Sequence, residues 1–379
     1  MKFVCRRCGE SNEKYIGYKN GQPYCRRCIR FQGEKAVLLK PKEIDNALEI
    51  KYSLTKEQRR ISTRVIKNYI EGTSTLIKAV CGAGKTELVY GVINYALSKG
   101  HSVGFAIPRR DVVIELAERI QEAFPKCKVT SVYGGHHDLL SGDIVVLTTH
   151  QIFRYEDYFD LLVMDEVDAF PFYDDPMLFK FSEDATRRTL VMMSATPDDS
   201  LINYFGQPKH EILELNTRYH HHELPVPEIV IKTAMFKFEF LRQKLNSYRI
   251  LKKPVLVFVP TIKIGEQLYK TLKVTNPGGN YVHSKRRGRG TIIQEFKQGK
   301  YNYLVTTAVL ERGVTIKNLQ VIIYDADHEV YTKAALIQIS GRVGRKYDAP
   351  TGQIIYLSSF ITKEMEAARR EIQSKNLFL

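Results

Sequence analysis

The chain has 379 residues and lacks tryptophan, low-complexity tracts, short internal repeats and any long apolar run. The missing indoles do not starve a core, because 22 Tyr and 18 Phe raise aromatics to 11% and 44% of residues are hydrophobic. That composition excludes a disordered or fibrous chain. No stretch nears the roughly 20 apolar residues that cross a bilayer, which excludes an integral membrane protein. The first residues, Met1-Lys2-Phe3-Val4-Cys5-Arg6-Arg7, carry no signal-peptide core, so the expected compartment is the cytoplasm. Acidic side chains are in deficit, 42 against 57 Lys and Arg. The resulting charge of +15 favours a polyanionic partner, with anionic lipid as the competitor. Residues 1–40 hold ten basic and three acidic residues, a local net of +7. Cysteine is scarce beyond residue 28, where only Cys81 and Cys127 remain, each without a partner motif.

Leu54–Tyr69 has the apolar spacing of an amphipathic helix. Beyond it, short β-rich runs alternate with longer helical patterns. Strands are expected at Thr75–Val80, Val103–Ile107, Ile144–Thr148, Leu161–Met164 and Leu190–Met193. A second series is expected at Val255–Val259, Tyr303–Thr306, Val321–Tyr324 and Gln353–Leu357. Apolar strands separated by helices indicate parallel sheets covered on both faces. Thr217–Lys232 has linker composition, and its triplet His220-His221-His222 is expected to be solvated rather than metal-binding. The expected organisation is α/β: a module and lead-in at 1–50, then domains at 51–224 and 225–379.

The first strand series carries chemistry at its ends. Thr75–Val80 runs into Cys81-Gly82-Ala83-Gly84-Lys85-Thr86 and then a helical segment, the strand–loop–helix context of a phosphate loop. Glycines let backbone N–H groups wrap phosphates, Lys85 would reach the β- and γ-phosphates, and Thr86 would ligate magnesium. Ala79 stands where the first glycine of the generic motif is usual. Further on, an apolar strand ends in Asp165-Glu166-Val167-Asp168. Carboxylates there lie at the sheet's C-terminal edge, where Asp165 would hold magnesium and Glu166 would activate water.

These motifs, in this order, resemble those of superfamily-two helicases and translocases over about residues 54–345. Leu54-Thr55-Lys56-Glu57-Gln58 is similar to the Q motif, and the resemblance implies that Gln58 reads adenine. Pro108-Arg109-Arg110, Thr148-Thr149-His150 and Ser194-Ala195-Thr196 correspond to motifs Ia, Ib and III. Val257-Phe258-Val259-Pro260-Thr261 resembles motif IV, Thr306-Thr307 with Arg312-Gly313-Val314 motif V, and Gln338–Arg345 motif VI. The resemblance implies two RecA-like domains with ATP between them and Arg342 and Arg345 as arginine fingers, with Gln338 in the same motif. It also implies nucleic-acid contacts from Arg109, Arg110, Thr149, Thr261 and Thr307, mostly to phosphate and sugar. Asp-Glu-Val-Asp in motif II and Gln338 in motif VI look more like DNA translocases such as PriA than RNA helicases.

Cys5-x-x-Cys8 and Cys25-x-x-Cys28, 16 residues apart, have the spacing of a four-thiolate zinc site; an iron–sulfur cluster would use the same ligands. Interleaved Arg6, Arg7, Lys14, Tyr15, Tyr18, Lys19, Tyr24, Arg26 and Arg27 suggest a single-strand-binding surface. A four-cysteine module ahead of a small motor resembles the ComFA family of late-competence ATPases of Gram-positive bacteria. That resemblance implies a single-stranded-DNA-dependent ATPase, peripheral at the inner face of the cell membrane, helping to pull DNA through the ComEC channel with ComFC as partner. Two alternatives unwind nucleic acid: a repair or replication-restart helicase, and an RNA helicase. A third is a nonenzymatic zinc-dependent scaffold, against which intact Lys85, Asp165, Glu166 and Arg345 argue.

Overall fold

The computed structural model describes residues 3–28, 31, 33–38, 41–50, 52–169, 172, 175–307 and 316–377. The backbone divides into two units: residues up to Ala79 with Gly84–Leu215, and Val80–Ala83 with the chain from Asn216 onward. Residues 3–50 belong to the first unit, and residues 216–224 group with the second rather than the first.

Unit 1 opens with an antiparallel hairpin, β1 (Ile16–Lys19) and β2 (Gln22–Cys25). Its turn residues Asn20 and Gly21 both have positive φ, 52° and 76°, as a tight hairpin turn demands. Helix α1 (Lys56–Glu71) begins at a capping box in which Thr55 Oγ1 accepts from the Gln58 N–H and Gln58 Oε1 accepts from the Thr55 N–H. There follow β3 (Ser74–Ala79), α2 (Lys85–Ser98), β4 (Val103–Ile107), α3 (Arg110–Ala123), β5 (Val129–Val132) and β6 (Ile144–Thr148). The unit ends with β7 (Phe159–Met164), α4 (Pro176–Ala185), β8 (Thr186–Ser194), α5 (Asp199–Phe205) and β9 (His210–Leu215). The seven strands from β3 to β9 form a parallel sheet in the order β5-β6-β4-β7-β8-β3-β9. Strands β4, β6 and β7 are buried along their whole length, which is why they read as unbroken apolar runs.

Unit 2 contains β10 (Glu228–Ile231), α6 (Ala234–Ile250), β11 (Val255–Phe258), α7 (Ile262–Thr275), β12 (Gly279–Val282) and α8 (Arg289–Lys297). It continues with β13 (Tyr303–Thr306), β14 (Gln320–Tyr324), α9 (Lys333–Ser340), β15 (Ile354–Ser358) and α10 (Lys363–Asn376). Its parallel sheet runs β10-β15-β14-β11-β13-β12, with apolar clusters on both faces. Both units are RecA-like.

The linker expected at Thr217–Lys232 is more than a spacer. It contains β10, and Arg218 and His220 are buried. Of the histidine triplet only His221 and His222 face solvent, so the expectation of three solvated imidazoles is corrected.

Candidate nucleotide and nucleic-acid sites

Parallel strands bring every loop after a strand to one edge of the sheet, and in unit 1 that edge has two halves. Strands β3, β7 and β8 are adjacent, and their loops carry the phosphate loop, Asp165–Asp168 and Ser194–Thr196. Strands β4, β6 and β5 lie on the other half, and their loops carry Arg109–Arg110, Thr149 and Tyr133–His136.

On the first half, Gly82 and Gly84 adopt positive φ, 84° and 76°. Gly84 caps α2 without a side-chain hydrogen bond, so the backbone N–H groups that open the helix are left for a ligand. Lys85 and Thr86 are the first two residues of that helix. A Cβ on Gly84 would lie 2.7 Å from Gln58 Nε2, so the Gln58 side chain packs against the loop while its Oε1 caps α1. Gln58, expected to read adenine, caps α1 and packs closely on the phosphate loop.

Asp165 follows β7 and is tied to β4 by its N–H, which donates to Ala106 O at 2.9 Å. Its Oδ1 accepts from the Glu166 N–H at 2.8 Å. Burial pushes the Asp165 carboxyl up to about 6 against the pull of the Lys85 ammonium, and the Glu166 and Asp168 carboxylates add to the rise. A carboxylate this poorly compensated suits a divalent cation, and Asp165 with the Thr86 hydroxyl is the donor set that could hold one. Glu166 has φ of 55°, a strained value for a non-glycine residue. The Thr196 hydroxyl donates to Asp168 Oδ2 at 2.5 Å, joining the loops after β7 and β8.

On the second half, Arg109 caps α3 and pairs with Asp111 at 3.0 Å. Arg110 is exposed and lies 4.8 Å over the Tyr133 ring, which stacks on His136 at 4.9 Å. Thr149 is buried at the start of the 3-10 turn Thr149–Arg154, and its neighbour His150 is exposed. In unit 2, Thr261 Oγ1 caps α7 by accepting from the Ile264 N–H, and Thr307 follows β13 half-buried. Arg312-Gly313-Val314 lie outside the described residues. A cluster the sequence did not single out is Lys285, Arg286, Arg287 and Arg289, which follows edge strand β12, the neighbour of the β13 strand that leads to Thr307. Its signal was a plain run of cations.

Gln338 lies buried on α9. The helix ends at Gly341, and the turn beyond it carries buried Arg342 and half-buried Arg345, whose Nε donates to Gly341 O at 2.7 Å.

Cys5, Cys8, Cys25 and Cys28 converge so that their sulfurs all lie within 4.8 Å of one another. The Cys5–Cys28 and Cys8–Cys25 separations are 3.7 Å. Four thiolates about 2.3 Å from one ion stand about 3.8 Å apart, so the spacing fits a tetrahedral metal site and is far too long for disulfides. Burial pushes the Cys8 thiol up to about 11 and raises Cys28 further, whereas hydrogen bonds from the Arg7 and Cys8 backbone and from neighbouring thiols lower Cys5 against its burial. The module is docked, not tethered. Cys28 Sγ lies 3.7 Å from Met177 Sδ, and Phe31 packs on Phe153 and edge-on to Phe181 at 5.6 and 5.4 Å. Arg7 covers Phe153 and Phe181, and Arg27 bonds Glu10 and reaches Asp175. Two cations expected on a strand-binding surface are therefore turned inward, leaving Arg6, Lys14, Lys19 and Arg26 exposed.

The model for the helicase conserved C-terminal domain matches residues 237–347, and that for the type III restriction enzyme res subunit matches residues 51–199. The competence protein ComFA of Streptococcus pneumoniae (strain ATCC BAA-255 / R6) is 33% identical over 394 residues, covering 99% of this chain and 90% of its own. ComFA of Bacillus subtilis (strain 168) is 33% identical over 399 residues, covering 99% and 86%. Among solved structures, S. cerevisiae Dbp5 bound to RNA and ADP BeF3 has the same fold, with a TM-score of 0.64 at 18% identity over 86% of this chain and 92% of that one. With the phosphate loop, the DExD strand end and the four-cysteine module on one polypeptide, the chain belongs to the ComFA family of competence proteins and is a helicase-type ATPase.

Proposed function

We propose that this chain is an ATP-dependent single-stranded-DNA translocase that helps drive transforming DNA across the cytoplasmic membrane. The observation that carries the reading is the divided edge of the unit 1 sheet, with a phosphate loop and half-buried carboxylates on one half and cations with stacked rings on the other. Gly82, Ala83, Gly84, Lys85 and Thr86 bind the nucleotide phosphates, with Gln58 supporting the loop from α1. Thr86 and Asp165 would hold magnesium, which would supply positive charge against the phosphates. Glu166 takes the proton from the attacking water, while Arg342 and Arg345 stabilise charge on the γ-phosphoryl group and Gln338 lines the same motif. Arg109, Arg110, Thr149, Thr261 and Thr307 follow the sugar-phosphate backbone.

Four thiolates favour zinc over harder metals, and zinc staples a segment too short to fold alone. ComFC and the ComEC channel are the partners this role implies, at the inner face of the membrane. Among the described residues no helix is long and apolar enough to cross a membrane, and the attachment this role implies is peripheral.

The test is steady-state ATPase with no nucleic acid, single-stranded DNA, duplex DNA and RNA in parallel. Stimulation by single-stranded DNA above the other three is expected. Greater stimulation by RNA, or robust strand displacement on forked duplex, would replace the reading with a helicase.

A further inference from the structure

Three consecutive side chains between β9 and β10 reach one turn. The Arg218 guanidinium donates from Nη1 to Val343 O at 2.8 Å and Gly344 O at 2.6 Å, and from Nη2 to Gly341 O at 3.4 Å. Tyr219 Oη donates to Arg345 O at 3.1 Å. His220 Nε2 lies 2.9 Å from Gly344 O. All four carbonyls belong to the turn that closes α9 and carries Arg342 and Arg345. They lie just past the helix C-terminus, where a cation is the favoured partner, and Arg218 Nε also donates to Cys81 O in the phosphate loop at 3.0 Å.

A surface lysine would serve that purpose if capping were all that mattered. Here the cation is buried, with no carboxylate in ion-pair range among the described residues. Burial, with Arg345 adding to it, pulls the Arg218 guanidinium down to about 10, so it stays charged at neutral pH and is satisfied by carbonyls. The turn has no slack either. Gly344 has φ of 68°, and a Cβ there would lie 2.2 Å from Pro350 O and 3.0 Å from Arg218 Nη1. The side chains of Arg342 and Arg345 therefore leave a backbone pinned on both sides.

We propose that Arg218, Tyr219 and His220 form a positioning clamp that fixes the motif VI turn, with Arg218 also tying that turn to the phosphate loop, so that ATP turnover depends on it. The proposal rests on Arg342 and Arg345 acting at the γ-phosphoryl group. The clamp also gives turnover a pH dependence. His220 Nε2–H donates to Gly344 O while Nδ1 accepts from the His222 N–H at 3.1 Å, which requires the neutral ring. Protonation would aim a new N–H at that donor. It would also add a cation beside Arg218, with His221 and His222 as the other ionisable neighbours. Burial, reinforced by Arg218, His222 and His221, holds the ring below the ordinary histidine range. The neutral, clamping form is complete above that range and is lost as pH falls through the lowered value.

The test compares full-length Arg218→Gln, His220→Gln, His220→Phe and Arg345→Ala. For each, kcat and KM for ATP are measured from pH 5.5 to 8.5 with saturating single-stranded DNA, and fluorescent-ATP affinity is measured separately. Arg218→Gln should lose turnover nearly as far as Arg345→Ala, on the order of a thousand-fold, and the separate affinity measurement reads what its bond to Cys81 contributes. His220→Phe should lose about tenfold in kcat. His220→Gln, whose amide donates but does not titrate here, should regain most turnover and lack the acid limb of the unmodified protein. If Arg345→Ala is inactive and Arg218→Gln keeps full kcat, the clamp is wrong. If Arg345→Ala itself keeps full kcat, the finger assignment fails instead. Should Arg218→Gln not fold, the histidine pair decides, because an acid limb shared by His220→Gln and the unmodified protein overturns the clamp.

Discussion

The two RecA-like units hold the loops proposed to handle phosphate by different means. In unit 1 the support comes from neighbouring strands: Asp165 is bonded to the end of β4, and Asp168 to Thr196 after β8. In unit 2 the turn carrying Arg342 and Arg345 is gripped by residues that precede the whole sheet in sequence. Damage to unit 1 should therefore act at the residue changed, whereas unit 2 can be damaged from a segment with no catalytic motif. The difference also bears on the proposed roles, in which the unit 1 loops bind as well as react.

Lys85→Ala should have the largest effect, removing both nucleotide affinity and turnover; ATPase and fluorescent-ATP titration read the two together. Glu166→Gln should sharpen the distinction within unit 1 by sparing nucleotide binding while stopping hydrolysis, and lost binding would contradict its role as base. Arg345→Ala should lower kcat on the order of a thousand-fold with little change in affinity. A large affinity loss there would erase the proposed contrast between the units. Thr196→Val, which removes the hydroxyl donating to Asp168, should cost about tenfold in DNA-stimulated turnover. An unchanged rate would mean that the loops after β7 and β8 act independently. Cys25→Ser should release the metal with the smallest direct effect on nucleotide affinity, read by metal analysis and unchanged fluorescent-ATP binding.

Interior and edge strands explain what was legible in the sequence. The interior strands β4, β6, β7, β11 and β13 are covered on both faces, so each reads as an apolar run within a residue or two of its observed span. The strands that escaped notice in the two large sheets are β5, β9, β10 and β12, and each is the edge of its sheet. Their half-exposed patterns, as in β10 with no buried residue, leave little apolar signal. The small hairpin was missed for another reason: its clue was Asn20-Gly21 in a stretch otherwise dominated by Cys and Arg. Cysteine spacing pointed to the convergence of the four sulfurs, which the structure contains. Nothing in that spacing signalled that Arg7 and Arg27 turn inward, because docking depends on Phe153, Phe181 and Asp175, far along the chain. Likewise, a run of histidines says nothing of which ring meets a carbonyl more than a hundred residues away.

The docked cysteine module has a practical consequence for anyone trimming the protein. Its sulfurs and Phe31 share one apolar cluster with Phe153, Met177 and Phe181. Shortening the chain to begin at Tyr52 would strip the cover from those rings and leave a sticky face on an otherwise intact motor. Even Phe31→Ala alone should cost about 3–5 kcal/mol. Poor solubility of such a shortened motor would then reflect an unroofed core rather than a misfolded one.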